Sequence, residues 1–186
     1  MNYVWYACYG SNISRERFMR YINRCSDTTQ PVEDRPYEFK HLVFFAGHSS
    51  IWEFKGTAFL DVWCEGAALG RIYKITEEQY REVKRYEGWR YQNEVAFEPL
   101  EGIPVVSFTC SDREAEERNA PSLAYFETIL NGLKETYPTY RESALAEGLI
   151  DGIFCEDEIN VLDCLREAEH GLTNTKSLLF FKETTS

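Results

Sequence analysis

Tyr6-Ala7-Cys8-Tyr9-Gly10-Ser11-Asn12 is the stretch whose reading decides the fold. Ahead of it, Tyr3-Val4-Trp5-Tyr6 has the aromatic and β-branched residues that suit a pleated, half-buried strand. The strand should stop at Gly10-Ser11-Asn12. Glycine permits φ > 0 and lets backbone or ligand approach closely, while Ser and Asn favour turns and helix caps. Ser14 then caps a predicted helix that begins Arg15-Glu16-Arg17-Phe18-Met19-Arg20-Tyr21-Ile22. A strand that ends in a small-residue loop before a helix gathers unpaired backbone N–H groups in one place. Such a loop can hold a carboxylate or another anion. A tight turn that binds nothing is the plain alternative for a short glycine loop.

Outward from this point, Tyr37 to Ala46 reads as a strand that begins alternating and ends buried. Gly56 to Glu65 and Leu69 to Ile75 read as two further strands, with Gly66 as the turn between them. Thr76 caps a short helix from Glu77 to Lys84, with acidic residues in its first turn as the macrodipole favours. Gly88 stands where an αL residue would end it. Tyr91 to Phe97 and Pro104 to Thr109 are strands around the turn Glu101-Gly102. Ser111 to Asn119 is charged and reads as a solvated, mobile linker. Pro121-Ser122 opens a helix to about Glu135, with Leu123, Phe126, Ile129, Leu130 and Leu133 at helical spacing. Further helices are predicted from Pro138 to about Ala146 and from Asp157 to Glu169, before a short apolar segment, Leu178 to Phe181. Strands fill the first half and helices the second, which favours an α+β fold.

The composition, 44% hydrophobic and 15% aromatic, is ample for one core. A net charge of −11 argues against nucleic acid, whose phosphates it would repel. An anionic substrate would need local N–H donors or an arginine to overcome that field. No segment reads as a signal peptide or a membrane span. Six cysteines without a Cys-x-x-Cys pair read as reduced thiols of a cytoplasmic protein. No His/Cys/Asp cluster has metal-ligand spacing. Ser11 lacks a nucleophile elbow, and His41, His48 and His170 have no triad context. Cys8 is either a reactive thiol or a packed strand cysteine. Arg15 and Arg17 are either solvated helix residues or available to an anionic substrate.

Tyr9-Gly10-Ser11-Asn12 after the first strand resembles the signature loop of the γ-glutamylcyclotransferase-like family. Leu69-Gly70-Arg71-Ile72-Tyr73-Lys74-Ile75-Thr76 followed by Tyr86-Glu87-Gly88 is similar to that family's strand, short helix and Glu-Gly step. Ala120-Pro121-Ser122-x-x-Tyr125-x-x-x-Ile129-x-x-Gly132, continuing to Tyr140 and Leu145, resembles its closing helices. The resemblance spans Tyr3 to Leu145. It implies a small, mixed, partly closed β-barrel with flanking helices over residues 1–148, and leaves 149–186 as a helical extension packed on that domain. It also implies a site made of Tyr6, Ala7, Cys8, Tyr9, Gly10, Ser11 and Asn12, with Glu87 as general acid/base and Tyr140 against the substrate.

The implied reaction is release of 5-oxoproline and a free amine from a small γ-glutamyl compound, with no cofactor, no metal and no membrane or nucleic-acid partner. The nucleophile is the substrate's own α-amine, so the protein must orient the chain, move protons and stabilise an oxyanion. Tyr86 and Trp89 are the neighbours expected to desolvate Glu87. An enzyme of the same fold that uses Glu87 without cyclisation is one alternative. A non-catalytic small-molecule binding or interaction module is another. The leaving group is left open between an amino acid, a dipeptide and a polyamine.

Overall fold

A computed structural model describes residues 2–139. Its elements are β1 (Tyr3–Cys8), α1 (Arg15–Ile22), β2 (Glu33–Ser49), β3 (Lys55–Thr76), α2 (Glu77–Glu87), β4 (Asn93–Leu100), β5 (Ile103–Thr109) and α3 (Leu123–Thr136). A 3₁₀ turn at Ser11–Ile13 joins β1 to α1, and another at Ser50–Trp52 sits at the tip of the β2–β3 hairpin. The strands form one sheet in the order β2-β3-β1-β5-β4. β1 pairs antiparallel with β3, from Tyr3↔Thr76 to Cys8↔Arg71, and parallel with β5 at Trp5↔Val105 and Tyr6↔Val106. A strand covered on both faces must be apolar throughout. Accordingly Val4 to Tyr9 are all buried, Trp5 and Ala7 completely.

The three helices begin where their caps dictate. Ser14, Thr76 and Ser122 each accept a hydrogen bond from a backbone N–H of the first turn, and Thr76 forms a full capping box with Gln79. Each helix then buries one apolar face. Phe18 of α1 stacks on Tyr73 of β3, and Tyr80 of α2 packs beside Tyr6 of β1.

In place of the expected partly closed barrel, the strands form a sheet that among the described residues is not closed into a barrel. β2 and β4 are the edges of the sheet, and no ladder joins them among the described residues. Side chains meet across that seam instead: the Phe97 ring lies 5.6 Å from Phe39 and 6.0 Å from Tyr37. Strand twist curls the sheet far enough for aromatic contact but not for backbone pairing. Gly66 is not a turn, because β3 runs through it as one strand of 22 residues. A Cβ there would strike the Leu42 side chain, so the glycine serves a close approach beside the register shift at His41. Gly88 has φ 86° and ψ −170°, a positive-φ state open to glycine but outside the αL region expected of it. Glu101 and Gly102, by contrast, have φ of 55° and 75° and form the expected hairpin turn.

Ser111 to Asn119 is held against the sheet rather than free in solvent. The Gly47 N–H donates to the Glu117 carbonyl at 2.8 Å, and Ala46 pairs with Arg118. Arg113 bonds the buried carboxylate of Asp61 at 3.0 Å. The helices predicted beyond Pro138, the 149–186 extension and Tyr140 lie outside the described residues. Among the described residues no helix is long and apolar enough to cross a membrane.

Two devices hold the Ser11–Ile13 turn. Arg71 of β3 is buried and donates to Asp34, to Glu135 at 3.1 Å and to the Ile13 carbonyl at 3.1 Å. α3 presses on the other side at Gly132, where a Cβ would fall 2.5 Å from the Ile13 carbonyl carbon and closer still to the Ser14 nitrogen. Alanine is the better helix former by about 1 kcal/mol. Overpacking against fixed backbone costs about 1–3 kcal/mol. Gly132→Ala is therefore expected to lower the urea midpoint, and a raised midpoint would show that the turn yields freely.

Candidate functional site

Glu87 is the last residue of α2 and Asn12 is the middle of the 3₁₀ turn after β1. The capping box at Thr76 sets where α2 begins, and the loop after β1 places Asn12 at the far end of that helix. The Asn12 Nδ2 donates to Glu87 Oε1 at 2.7 Å and lies 3.3 Å from the Tyr6 hydroxyl. Chemistry fixes the orientation of this amide. A carboxylate accepts and cannot donate, so the NH₂ faces Glu87. The Asn12 Oδ1 then faces away, buried and without a hydrogen-bond partner.

Burial raises the Glu87 pKa above the ordinary carboxylate value. The Asn12 N–H, the charge of Arg17 and the Tyr21 hydroxyl oppose that rise without cancelling it. The hydroxyls of Tyr6, Tyr9, Tyr21, Tyr91 and Tyr125 all sense the Glu87 charge. Burial is the first cause that keeps each of these phenols protonated, and it pushes Tyr125 up to about 12. The Glu87 carboxyl thus lies in the field of several neutral tyrosine O–H groups. Among the described residues no group of three or more His, Cys, Asp or Glu is arranged to hold a metal.

The structure brings Tyr6, Asn12 and Glu87 together through hydrogen bonds. Gly10 and Ser11 meet Tyr125: a Cβ on Gly10 would lie 2.9 Å from its hydroxyl, and Ser11 bonds to that oxygen. The same hydroxyl accepts from the Ala58 N–H at 3.1 Å. Ala7 and Cys8 are packed in the core, and burial pushes the Cys8 thiol up, away from a reactive thiolate. The Tyr9 hydroxyl donates to the Phe108 carbonyl at 2.6 Å, which ties the loop to β5.

The expected cover of Glu87 is different from the one found. Trp89 is 75% exposed, and Tyr86 turns its hydroxyl to the Arg24 carbonyl. Tyr21 bonds the carboxylate instead, and Tyr91 and Tyr125 sense its charge. Tyr21 lies two turns into α1, and Tyr91 and Tyr125 follow in later segments. Only helical spacing from Ser14 could have pointed to Tyr21. Tyr125 stands in the closing-helix motif, and nothing local marks Tyr91.

No protein-family model matches the chain. Histone deacetylase 5 of Arabidopsis thaliana is 25% identical over an alignment of 197 positions, covering 77% of this chain. The chain spans 30% of that protein's length. Among solved structures, a γ-glutamyl cyclotransferase has a TM-score of 0.58 at 20% identity, covering 85% of this chain and 92% of that one. An uncharacterized protein from Homo sapiens has a TM-score of 0.57 at 20% identity, covering 84% and 91%. YkqA from Bacillus subtilis has a TM-score of 0.55 at 16% identity, covering 83% and 57%. The likeness is one of fold: the chain has a γ-glutamylcyclotransferase-like architecture.

Proposed function

We propose that the chain is a γ-glutamyl cyclotransferase that releases 5-oxoproline and a free amine from a small γ-glutamyl compound. The observation that carries this reading is the Glu87 carboxyl, raised in pKa by burial and fixed by Asn12 of the loop after β1. In the reaction the substrate's α-nitrogen attacks its own γ-carbonyl carbon. The new C–N bond closes the lactam as the old amide C–N bond breaks. Glu87 takes the proton that the ammonium must lose before it can attack. The second N–H proton passes to the leaving nitrogen, Glu87 then gives its proton to the departing amine and is restored as a carboxylate, and no water is consumed. In this reading the backbone N–H groups of Gly10, Ser11 and Asn12 serve the developing oxyanion or the substrate carboxylate.

Release of 5-oxoproline from γ-glutamyl-amino acids, glutathione, γ-glutamyl-lysine and γ-glutamyl polyamines tests the reading and assigns the leaving group. Ligand binding without release from any of them would favour the non-catalytic module of the same fold. The described cysteines are free thiols, which suits a reducing compartment such as the cytoplasm.

The pH dependence follows from the raised pKa. The base is active when ionised, so the rate should fall as pH drops through a value above the ordinary carboxylate range. A pH–rate profile with its acidic limb at an unshifted carboxylate value would contradict the burial argument.

A further inference from the structure

We propose that the cleft between Trp89 and Glu116 is a docking site for an arginine side chain of a basic partner protein. The cleft holds about 280 Å³ and opens where the end of β2, the loop between α2 and β4, and residues 111–119 meet. It shares no lining residue with the group around Glu87, so it stands apart from the reaction proposed there. It is smaller than a drug-sized pocket, roughly 300–1,000 Å³, and suits one long side chain.

Trp89 forms one wall. At 75% it is the most exposed of the large apolar side chains among the described residues. A tryptophan left in water beside a cleft, next to an arginine, has the composition of an interface hot spot. Arg90 lies over this ring, its guanidinium carbon 5.2 Å from the ring centroid. Gly47, at φ 70°, makes room for it, because a Cβ there would strike the guanidinium. Arg90 is thus held in place while most of the indole stays open to a second cation.

Glu116 supplies the charge. Its side chain is only 11% exposed, and among the described residues its carboxylate receives no hydrogen bond. Its ion pair with Arg90 Nε spans 3.9 Å, too long for one. A carboxylate that has lost most of its water without gaining a donor is completed by a cation. Asp112 and Glu117 line the same cleft, so carboxylates outnumber its cations, Arg90 and His48. His48 is already engaged, with Glu117 at 3.2 Å and the Phe54 carbonyl at 3.0 Å. Charge selects the partner. A second copy of this chain, at net charge −11, is repelled, and so is an anionic membrane surface. A guanidinium fits better than an ammonium. It stacks on an aromatic face and meets a carboxylate through two parallel N–H groups.

The test titrates the full chain with acetylated, amidated Gly-Arg-Gly-Arg-Gly-Arg and with the same peptide carrying citrulline for arginine. NMR follows the Trp89 indole N–H. The arginine peptide should shift this signal saturably and bind about 10-fold tighter than the neutral citrulline peptide, the scale of a hydrogen bond to a charged group. Glu116→Gln should bring the two peptides close together by weakening the arginine peptide alone. The substitution keeps the shape of the side chain and breaks no hydrogen bond, so the chain should melt as the native one does. Trp89→Ala, at an exposed position, should weaken the arginine peptide about 2- to 5-fold. Glu114→Gln removes an exposed carboxylate of the same segment that does not line the cleft, and should change neither peptide. An unmoved Trp89 signal, equal binding of the two peptides, or no effect of Glu116→Gln would overturn the proposal. Equal losses from Glu114→Gln and Glu116→Gln would also overturn it, because they would show general attraction to an acidic chain.

Discussion

Glu87→Gln is expected to lower 5-oxoproline release by about 10²- to 10⁴-fold, the usual contribution of a positioned proton carrier. The same substitution should leave the chain no less stable at neutral pH. Glutamine keeps the shape and can still accept the Asn12 N–H, so the loop after β1 stays in place. Burial raises the Glu87 pKa in the folded chain. Its contribution to folding is therefore fully present below the unfolded pKa and is lost as pH rises through the folded one. At neutral pH the ionised carboxylate opposes folding, and the neutral amide removes that opposition. Turnover assays and thermal melts at pH 7 on the same preparation check both halves. Turnover within a few-fold of native would remove Glu87 from the chemistry, and a clear loss of melting temperature would make it a structural residue.

Arg71→Met should have the largest effect on stability, about 3 kcal/mol, at the lower end of the range for breaking a buried ion pair. Its side chain is 7% exposed, and that of Asp34, its main partner, is 22% exposed. Removal leaves Asp34 with Arg15 alone and takes a donor from the Ile13 carbonyl and from Glu135. The retained Arg15 contact and the half-exposed Glu135 keep the loss from reaching the top of the range. Tyr73 still donates to Ile13 at 3.2 Å, so the Ile13 carbonyl loses one of its two side-chain donors. Chemical denaturation measures the loss. A change under about 1 kcal/mol would place this network among surface pairs of little consequence.

The parts of the fold that were legible in the sequence are those set by short-range chemistry. Ser14, Thr76 and Ser122 mark helix starts because a capping side chain acts within three residues. Glu101-Gly102 marks a hairpin because its backbone demands it. The misread parts depend on distant residues. Gly66 looks like punctuation until Leu42 of the neighbouring strand is seen to need the space. Ser111 to Asn119 looks solvated by composition, yet its backbone pairs with the end of β2. The same division runs through the site. The loop from Tyr6 to Asn12 can be found by its own residue types. Its meeting with Glu87, 75 positions later in the chain, came only through resemblance. The meeting of Arg90 with Glu116 beside Trp89 had no local signal at all, because it depends on how residues 111–119 lie along the end of β2.

The central claim is that the substrate's own amine is the nucleophile. A γ-glutamyl compound carrying ¹⁵N at the α-amine and ¹³C at the γ-carbonyl, incubated with the native chain and followed by NMR, tests it most directly. A new one-bond coupling between the two labels is expected as the lactam closes, with the unlabelled amine released in equal amount. Labelled free glutamate, with the two nuclei still uncoupled by a direct bond, would instead show attack by water and contradict the account.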